Sequence, residues 1–389
     1  MPRWRNWSGK LESRPAAIHF ARSENDVCAL VKVATGQGRR VRTVGAGHSH
    51  APLVGNDDGV ILDLQGLAGL IDVDDEACRA TVWAGSRIYA LGNVLNERGL
   101  GFANQGDIDQ QAIAGVTATG THGTGKNLKN FSAAVTGFRL VGADGAVLDA
   151  GEGDRIWQAA RLHLGAFGVM TQFELQLLPR YRLREQSWEL PLDEVLDGIE
   201  PGIEQNRHYE FFWYPQADSA RVKMINETEE APVYPLAEEG ARLAWSHEVL
   251  PNHRPVPHTE MEYSVPRARG RACLEEIARL LRTEFSDVQW PVEFRTVAAD
   301  DVWLSTAYER ETVTLSVHLP LGEDDAPYYR ACEEVFLAHE GRPHWGKVHY
   351  LNGQQLAAVH PRWEDWWQVR DEVDPHGTFL NPYLASLRP

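Results

Sequence analysis

The run Gly45-Ala46-Gly47-His48-Ser49-His50, entered from the apolar stretch Val41–Val44, constrains this chain more than any other segment. A strand signal that ends in two glycines makes a tight turn whose main-chain N–H groups lie open to a ligand, with no Cβ in the way. A second loop of similar character, Thr119-Gly120-Thr121-His122-Gly123-Thr124-Gly125, lies downstream. Two backbone-rich, side-chain-poor loops suit a long ligand that contains a pyrophosphate. The βαβ dinucleotide fingerprint fits poorly. Its third glycine is replaced by His50, and Ala51-Pro52 is a weak helix start. His48 reads either as an ordinary turn residue or as a nucleophile toward whatever the turn binds.

An anionic ligand of that kind needs those main-chain donors, because the chain as a whole repels it. There are 55 acidic against 38 basic side chains, a net charge of −17, which argues against a nucleic-acid or anionic-membrane surface. At 389 residues two domains are expected. The first residues lack a signal-peptide core and no segment is long enough to span a bilayer, so a cytoplasmic protein is expected. Cys28, Cys78, Cys273 and Cys332 are widely spaced and read as reduced thiols. The histidines show no metal-ligand spacing, so no metal site is expected.

Strand and helix signals alternate from residue 15 to about 177. Ser23 can cap a helix that presents Val27, Leu30, Val31 and Ala34 on one face. Strands are expected at 41–44, 60–64 and 80–84, and a helix follows with Ile88, Leu91 and Leu95 at helical spacing. Asp144-Gly145 marks a hairpin, and Val169–Leu177 closes the region. Beyond it, 209–214 and 220–225 read as paired strands, 227–257 as a Pro- and Glu-rich loop, and 292–297 and 312–319 as further strands. Helices are expected around Leu274–Leu281 and Tyr328–His339. The fold class is α+β, with an antiparallel second sheet.

On a strand, Glu293 and Arg295 share one face while Val292 and Phe294 take the other. The neighbouring strand offers a polar face of Thr312, Thr314, Ser316 and His318. Taken alone, the Glu-x-Arg pair is an ion pair on a sheet surface. The segment Pro343-His344-Trp345-Gly346-Lys347 adds a histidine and a lysine close together near the C-terminus.

Val44–Ser49, Ile113-Ala114-Gly115 leading into Thr119–Gly125, Gly165-Ala166-Phe167-Gly168-Val169 and the His344-Trp345-Gly346-Lys347 segment together resemble the vanillyl-alcohol-oxidase superfamily. Within it they are most similar to the sugar-1,4-lactone oxidases (gulonolactone, galactonolactone and arabinonolactone types) and the alditol oxidases. The resemblance runs from Trp4 to the C-terminus and implies a two-domain FAD-binding fold of PCMH/VAO type. Residues 1–177 would then bind FAD, 178–340 would form an α+β cap over the substrate, and 341–389 would return to the FAD domain. It implies FAD contacts from Gly45, Ala46, Gly47, His48, Ser49, Gly106, Asp107, Ala114, Gly115, Thr119, Thr121, His122, Gly123, Gly168 and Val169. His48 would be bonded to the flavin 8α-methyl carbon. Glu293, Arg295, His344 and Lys347 would be catalytic, with Asp107 and His318 joining Glu293, Arg295 and Lys347 at the substrate. His344 or Lys347 would accept the hydroxyl proton. The implied substrate is a sugar lactone or polyol. Glycine at Gly106, where relatives carry glycine or alanine over the flavin edge, leans toward molecular oxygen as acceptor. Asp107 departs from the serine of several relatives, which puts the identity of the substrate in doubt.

Overall fold

The computed structural model describes residues 2–389 and places the first glycine turn where two packing layers meet. Strand Val41–Val44 pairs in parallel with Val60–Asp63, which pairs with Ala17–Phe20. Helix Glu24–Gly36 packs on them through Val27, Val31 and Ala34, and the Ser23 hydroxyl accepts the Asp26 N–H at 3.1 Å at its start. A five-stranded antiparallel sheet follows, with Val147–Gly151, Val135–Val141, Val169–Gln176, Arg79–Trp83 and Leu70–Asp74 in spatial order. Helices Ile88–Glu97 and Ile113–Thr119 bury Ile88, Leu91, Leu95, Ile113 and Val116 in the same core. The second helix ends at Gly120, which takes the left-handed conformation at φ 69° that glycine adopts at little cost.

The second half is built on an eight-stranded antiparallel sheet in which strands from residue 182 to residue 343 pair. Its side chains alternate strictly. Phe211, Val222, Met261, Tyr263, Phe294 and Leu315 pack against helices Leu192–Gln205, Gly270–Glu284 and Ala326–Ala338. The intervening residues, Glu210, Lys223, Glu260, Glu262, Glu293 and Arg295, therefore share the opposite face. That polar face is buried against the first half of the chain, where Glu262 meets His122 and Arg295 meets Asp107.

Two expectations change. Residues 227–257 are not one loop: strand Leu243–Trp245 adds to the edge of the large sheet, and helix Ser246–Val249 follows it. Strands Arg182–Pro191 and His258–Pro266 also stand where no strand was expected. The second of these carries Glu260 and Glu262. No helix among the described residues is long and apolar enough to cross a membrane, and the four cysteines form no disulfide among them.

The aromatic C-terminal segment packs into the core of the first half. Trp345 stacks on Trp363 with ring centroids 5.7 Å apart, and Trp363 continues onto Trp366 at 6.4 Å. The Trp366 indole donates to the Leu162 carbonyl at 3.0 Å, and Asn381 Nδ2 donates to the Pro52 and Gly55 carbonyls at 2.8 Å. Trp366 is fully buried. Trp366→Ala is expected to cost about 3–5 kcal/mol, through the cavity it leaves and the orphaned Leu162 carbonyl. Chemical denaturation of the variant checks this, and a loss below about 1 kcal/mol would mean the ring is not structural.

Candidate active site

A cleft runs between the Gly45–Ser49 turn and helix Ile113–Thr119. It is lined by Gly45, Ala46, Gly47, His48, Ser49, Ala114, Gly115 and Thr119, together with Arg42 and His163. The cleft is narrow and walled by small residues. A Cβ on Gly45 would stand 3.0 Å from that of Ala112, and Gly47 sits at φ 69°. Arg42 holds the far wall, donating to the carbonyls of Leu53, Leu164, Gly165 and Phe379.

His48 stacks on Trp7, with ring centroids 5.4 Å apart and the planes 25° from parallel. Its Nδ1 is buried with no hydrogen-bond partner among the described residues. Burial, then the charges of Arg87 and Lys347, lower its pKa to about 4, so the ring is a neutral imidazole at physiological pH.

Gln111 lines both this cleft and a second cavity of about 600 Å3 under the large sheet, ample for a small polar substrate. Gly106, Asp107, Thr121, His122, Glu293, Arg295, His318, His344 and Lys347 all line that cavity. Gly106 is close to its wall: a Cβ there would stand 3.1 Å from the His122 carbonyl oxygen.

The fold does not bring every expected residue to these cavities. Gly123 and Gly168 serve close packing instead, since a Cβ on either would meet the carbonyl of Gln105 or Val141. Val169 is fully buried in the core beside Val141. Thr312, Thr314 and Ser316 are not cavity lining either. Thr314 bonds Ser264 at 2.8 Å, and Ser316 donates to Glu262 at 2.8 Å, so these hydroxyls are spent within the sheet.

Arg295 is the hub of the buried charges. Its guanidinium contacts Glu210 at 3.0 Å, Asp107 at 2.9 Å and Glu293. Lys223 reaches Glu210 and lies 4.0 Å from Asp107, while Arg254 pairs with Asp107 at 3.1 Å and Glu239 at 2.8 Å. Burial alone would raise the Asp107 carboxyl, but Lys223, Arg295 and Arg254 outweigh it and hold it ionised. Asp107 is thus an anchor for three cations.

Lys347 pairs with Glu260. Burial would lower its pKa, but Glu260 and Glu262 reverse this and raise it, so the ammonium stays charged. His122 has the Gly123 carbonyl oxygen 2.8 Å from Nδ1 and Glu262 3.0 Å from Nε2. Both partners are acceptors, so the ring is held between the Gly123 carbonyl and Glu262. His344 Nδ1 accepts the Gly346 N–H at 3.0 Å, and burial lowers the ring to about 4. The neutral ring therefore carries its proton on Nε2.

Six carboxylates (Asp107, Glu210, Glu239, Glu260, Glu262, Glu293) face four cations (Lys223, Arg254, Arg295, Lys347), with His122 beside Glu262. Glu293 shares Arg295 with Asp107 and Glu210, and its Oε1 forms no well-directed hydrogen bond among the described residues. Burial, opposed by Arg295 but reinforced by Asp107, Glu210 and Glu260, pushes its pKa up to about 8. Of this network the sequence reading missed Glu210, Lys223, Glu260, Glu262, Glu239 and Arg254. A signal was there for Glu260 and Glu262: His258–Val265 alternates polar and apolar residues with period two.

A cleft of small residues thus adjoins a cavity lined by charged side chains. A model of D-arabinono-1,4-lactone oxidase matches residues 173–245 and 233–387, and an FAD-binding domain model matches residues 15–151. The chain belongs to the D-arabinono-1,4-lactone oxidase family. It is 36% identical to L-gulono-1,4-lactone dehydrogenase of Mycobacterium tuberculosis, with 99% of each chain covered. It is 31% identical to an alditol oxidase of a Streptomyces species, with 98% of each covered. Cholesterol oxidase from Brevibacterium sterolicum shares the fold, with a TM-score of 0.89 at 18% identity over 100% of this chain and 97% of that one. The chain is thus an FAD-dependent oxidoreductase. The small-residue cleft and the unpartnered His48 Nδ1 fit the cofactor.

Proposed function

We propose that this protein oxidises a hydroxyl group of a sugar-derived 1,4-lactone, with molecular oxygen taking the electrons and leaving as hydrogen peroxide. The observation that carries this reading is the chamber itself, where Arg295, Lys347 and Glu293 converge beside the cleft. Bound FAD would accept the hydride from the carbinol carbon. The side chains do the rest. Arg295 and Lys347 hold the substrate oxygen as negative charge develops on it. Glu293 takes the hydroxyl proton, because Lys347 is already charged and the neutral His344 presents an N–H. His344 would instead donate a hydrogen bond from Nε2. Asp107 fixes the guanidinium of Arg295 from behind.

Oxygen as acceptor rests on the resemblance at Gly106, where an added Cβ would stand 3.1 Å from the His122 carbonyl oxygen. The 36% identical relative is named a dehydrogenase, and the 31% identical one acts on alditols. These favour, respectively, another acceptor or an open-chain polyol. An anaerobic panel of aldonolactones and alditols tests the substrate through bleaching of the flavin absorbance. Oxygen and an artificial dye, compared as acceptors, test the second half. Bleaching by no lactone would overturn the reading, and bleaching by alditols alone would shift it to the polyol.

The neutral His48 ring, with its unpartnered nitrogen in the cleft, supports a covalent tether to the flavin. Acid-precipitated protein is then expected to stay yellow, while His48→Ala releases its flavin under the same treatment. A colourless native precipitate would show that the bond is absent.

A further inference from the structure

Glu260 stands among three imidazoles contributed by distant parts of the chain. His258 Nε2 lies 3.5 Å from its Oε2, His50 Nε2 lies 3.9 Å from the same oxygen, and His318 Nε2 lies 3.6 Å from Oε1. The ligand atoms of His50, His258 and Glu260 all fall within 4.8 Å of one another. Two of the rings are fixed in one tautomer. His258 Nδ1 is 3.0 Å from the Val256 carbonyl oxygen, and His318 Nδ1 is 2.9 Å from that of Pro291. A carbonyl oxygen can only accept, so both Nδ1 atoms carry hydrogen. Each Nε2 is therefore the ring nitrogen turned toward the carboxylate.

A ring nitrogen and a carboxylate at this distance need a proton or a metal cation between them. Backbone carbonyls that lock Nδ1–H and leave Nε2 free are the usual second layer of a histidine metal site. The spacings of 3.5–3.9 Å are slightly wider than the roughly 3.3 Å between ligands on tetrahedral zinc. His50 is buried and its Nδ1 has no partner among the described residues, so its orientation is not spent on another bond. Trp7 and Trp290 flank His258, with ring centroids 5.5 Å away in each case.

We propose that His50, His258 and Glu260 form a site for a divalent transition cation of the zinc class, which competes with Lys347. The ammonium of Lys347 holds the same Glu260 Oε2 that His50 and His258 approach. A dication seated there repels that ammonium from the carboxylate and changes the charge facing the substrate. The metal therefore acts as a reversible inhibitor at the substrate chamber. Its binding does not depend on the proposed substrate; only the inhibition arm rests on that reading.

The test is equilibrium dialysis of the flavin-loaded protein against Zn2+, with turnover followed in parallel. One zinc per chain is expected, with inhibition relieved by a chelator. His258→Gln is expected to weaken uptake more than about tenfold, with flavin retention reporting that the chain still folds. His50→Gln gives the same result by a second route. Lys347→Met is expected to tighten uptake, because it removes the competing cation, and a collapsed structure would not bind more tightly. Absence of one-to-one uptake overturns the site, as does uptake unchanged in both histidine variants. Tight uptake with unaltered turnover overturns the inhibition while leaving the site standing. Zinc affinity that does not rise in Lys347→Met overturns the competition.

Discussion

Arg295→Ala is expected to lower turnover by about a hundred- to a thousandfold, the usual loss when a buried donor to a developing oxyanion is removed. FAD should remain bound, because the cleft residues belong to other elements. The loss has two parts. The substrate oxygen loses a cation, and Asp107, Glu210 and Glu293 lose the guanidinium they share. Deprived of it, Glu293 holds its proton to higher pH and becomes a poorer base. Arg295→Lys should recover little, since a point charge cannot serve three carboxylates as a planar fork does. Steady-state kinetics with flavin content measured on the same sample check this. Activity within about threefold of the parent would remove Arg295 from the chemistry.

Glu293→Gln is the second large effect, expected at about a hundred- to ten-thousandfold for the loss of a general base. Its signature is in the pH profile. Glu293 works as the carboxylate, and with a pKa of about 8 it is mostly protonated at lower pH. The parent's kcat/KM should therefore rise as pH approaches 8 and flatten above it, while the glutamine variant lacks that limb. If the limb persists in the variant, the proton goes elsewhere.

Stability supplies a second readout, with the opposite sign. The folded state keeps the Glu293 proton up to about pH 8, whereas the unfolded chain releases it near 4.5. Between these values the folded state binds more protons, so stability falls as pH rises. Glu293→Gln removes that penalty and should raise Tm at pH 8 while turnover collapses. A merely structural glutamate would lose stability together with activity.

The parts of the site legible in the sequence are those whose meaning is local. A strand that ends in glycines makes an open turn whatever surrounds it, and His48 lies inside that turn. Strand alternation alone puts Glu293 and Arg295 on one face. Gly168 and Val169 show the limit, because the glycine and its neighbour serve strand packing against Val141 and not a cavity. The polar run of Thr312, Thr314 and Ser316 misled for a related reason. A polar face can be satisfied by the next strand, and Ser264 and Glu262 do that here.

The grouping of the charges was decided only by the tertiary structure. Glu210, Glu260, Glu293 and Lys223 come from four strands whose register sets them on one buried face. A carboxylate's proton affinity depends on which charges lie within a few ångströms and on how much water is excluded, and neither is written in its own neighbourhood of the chain. His344 and Lys347 were equal candidates for the proton until the Gly346 N–H and Glu260 were placed beside them. The sequence by itself determined where the flavin turn, the Glu-x-Arg face and the alternation of the second sheet lie, because backbone geometry and side-chain period are local properties. Which charges surround each carboxylate was decided by the fold, because electrostatic energy depends on distance in space.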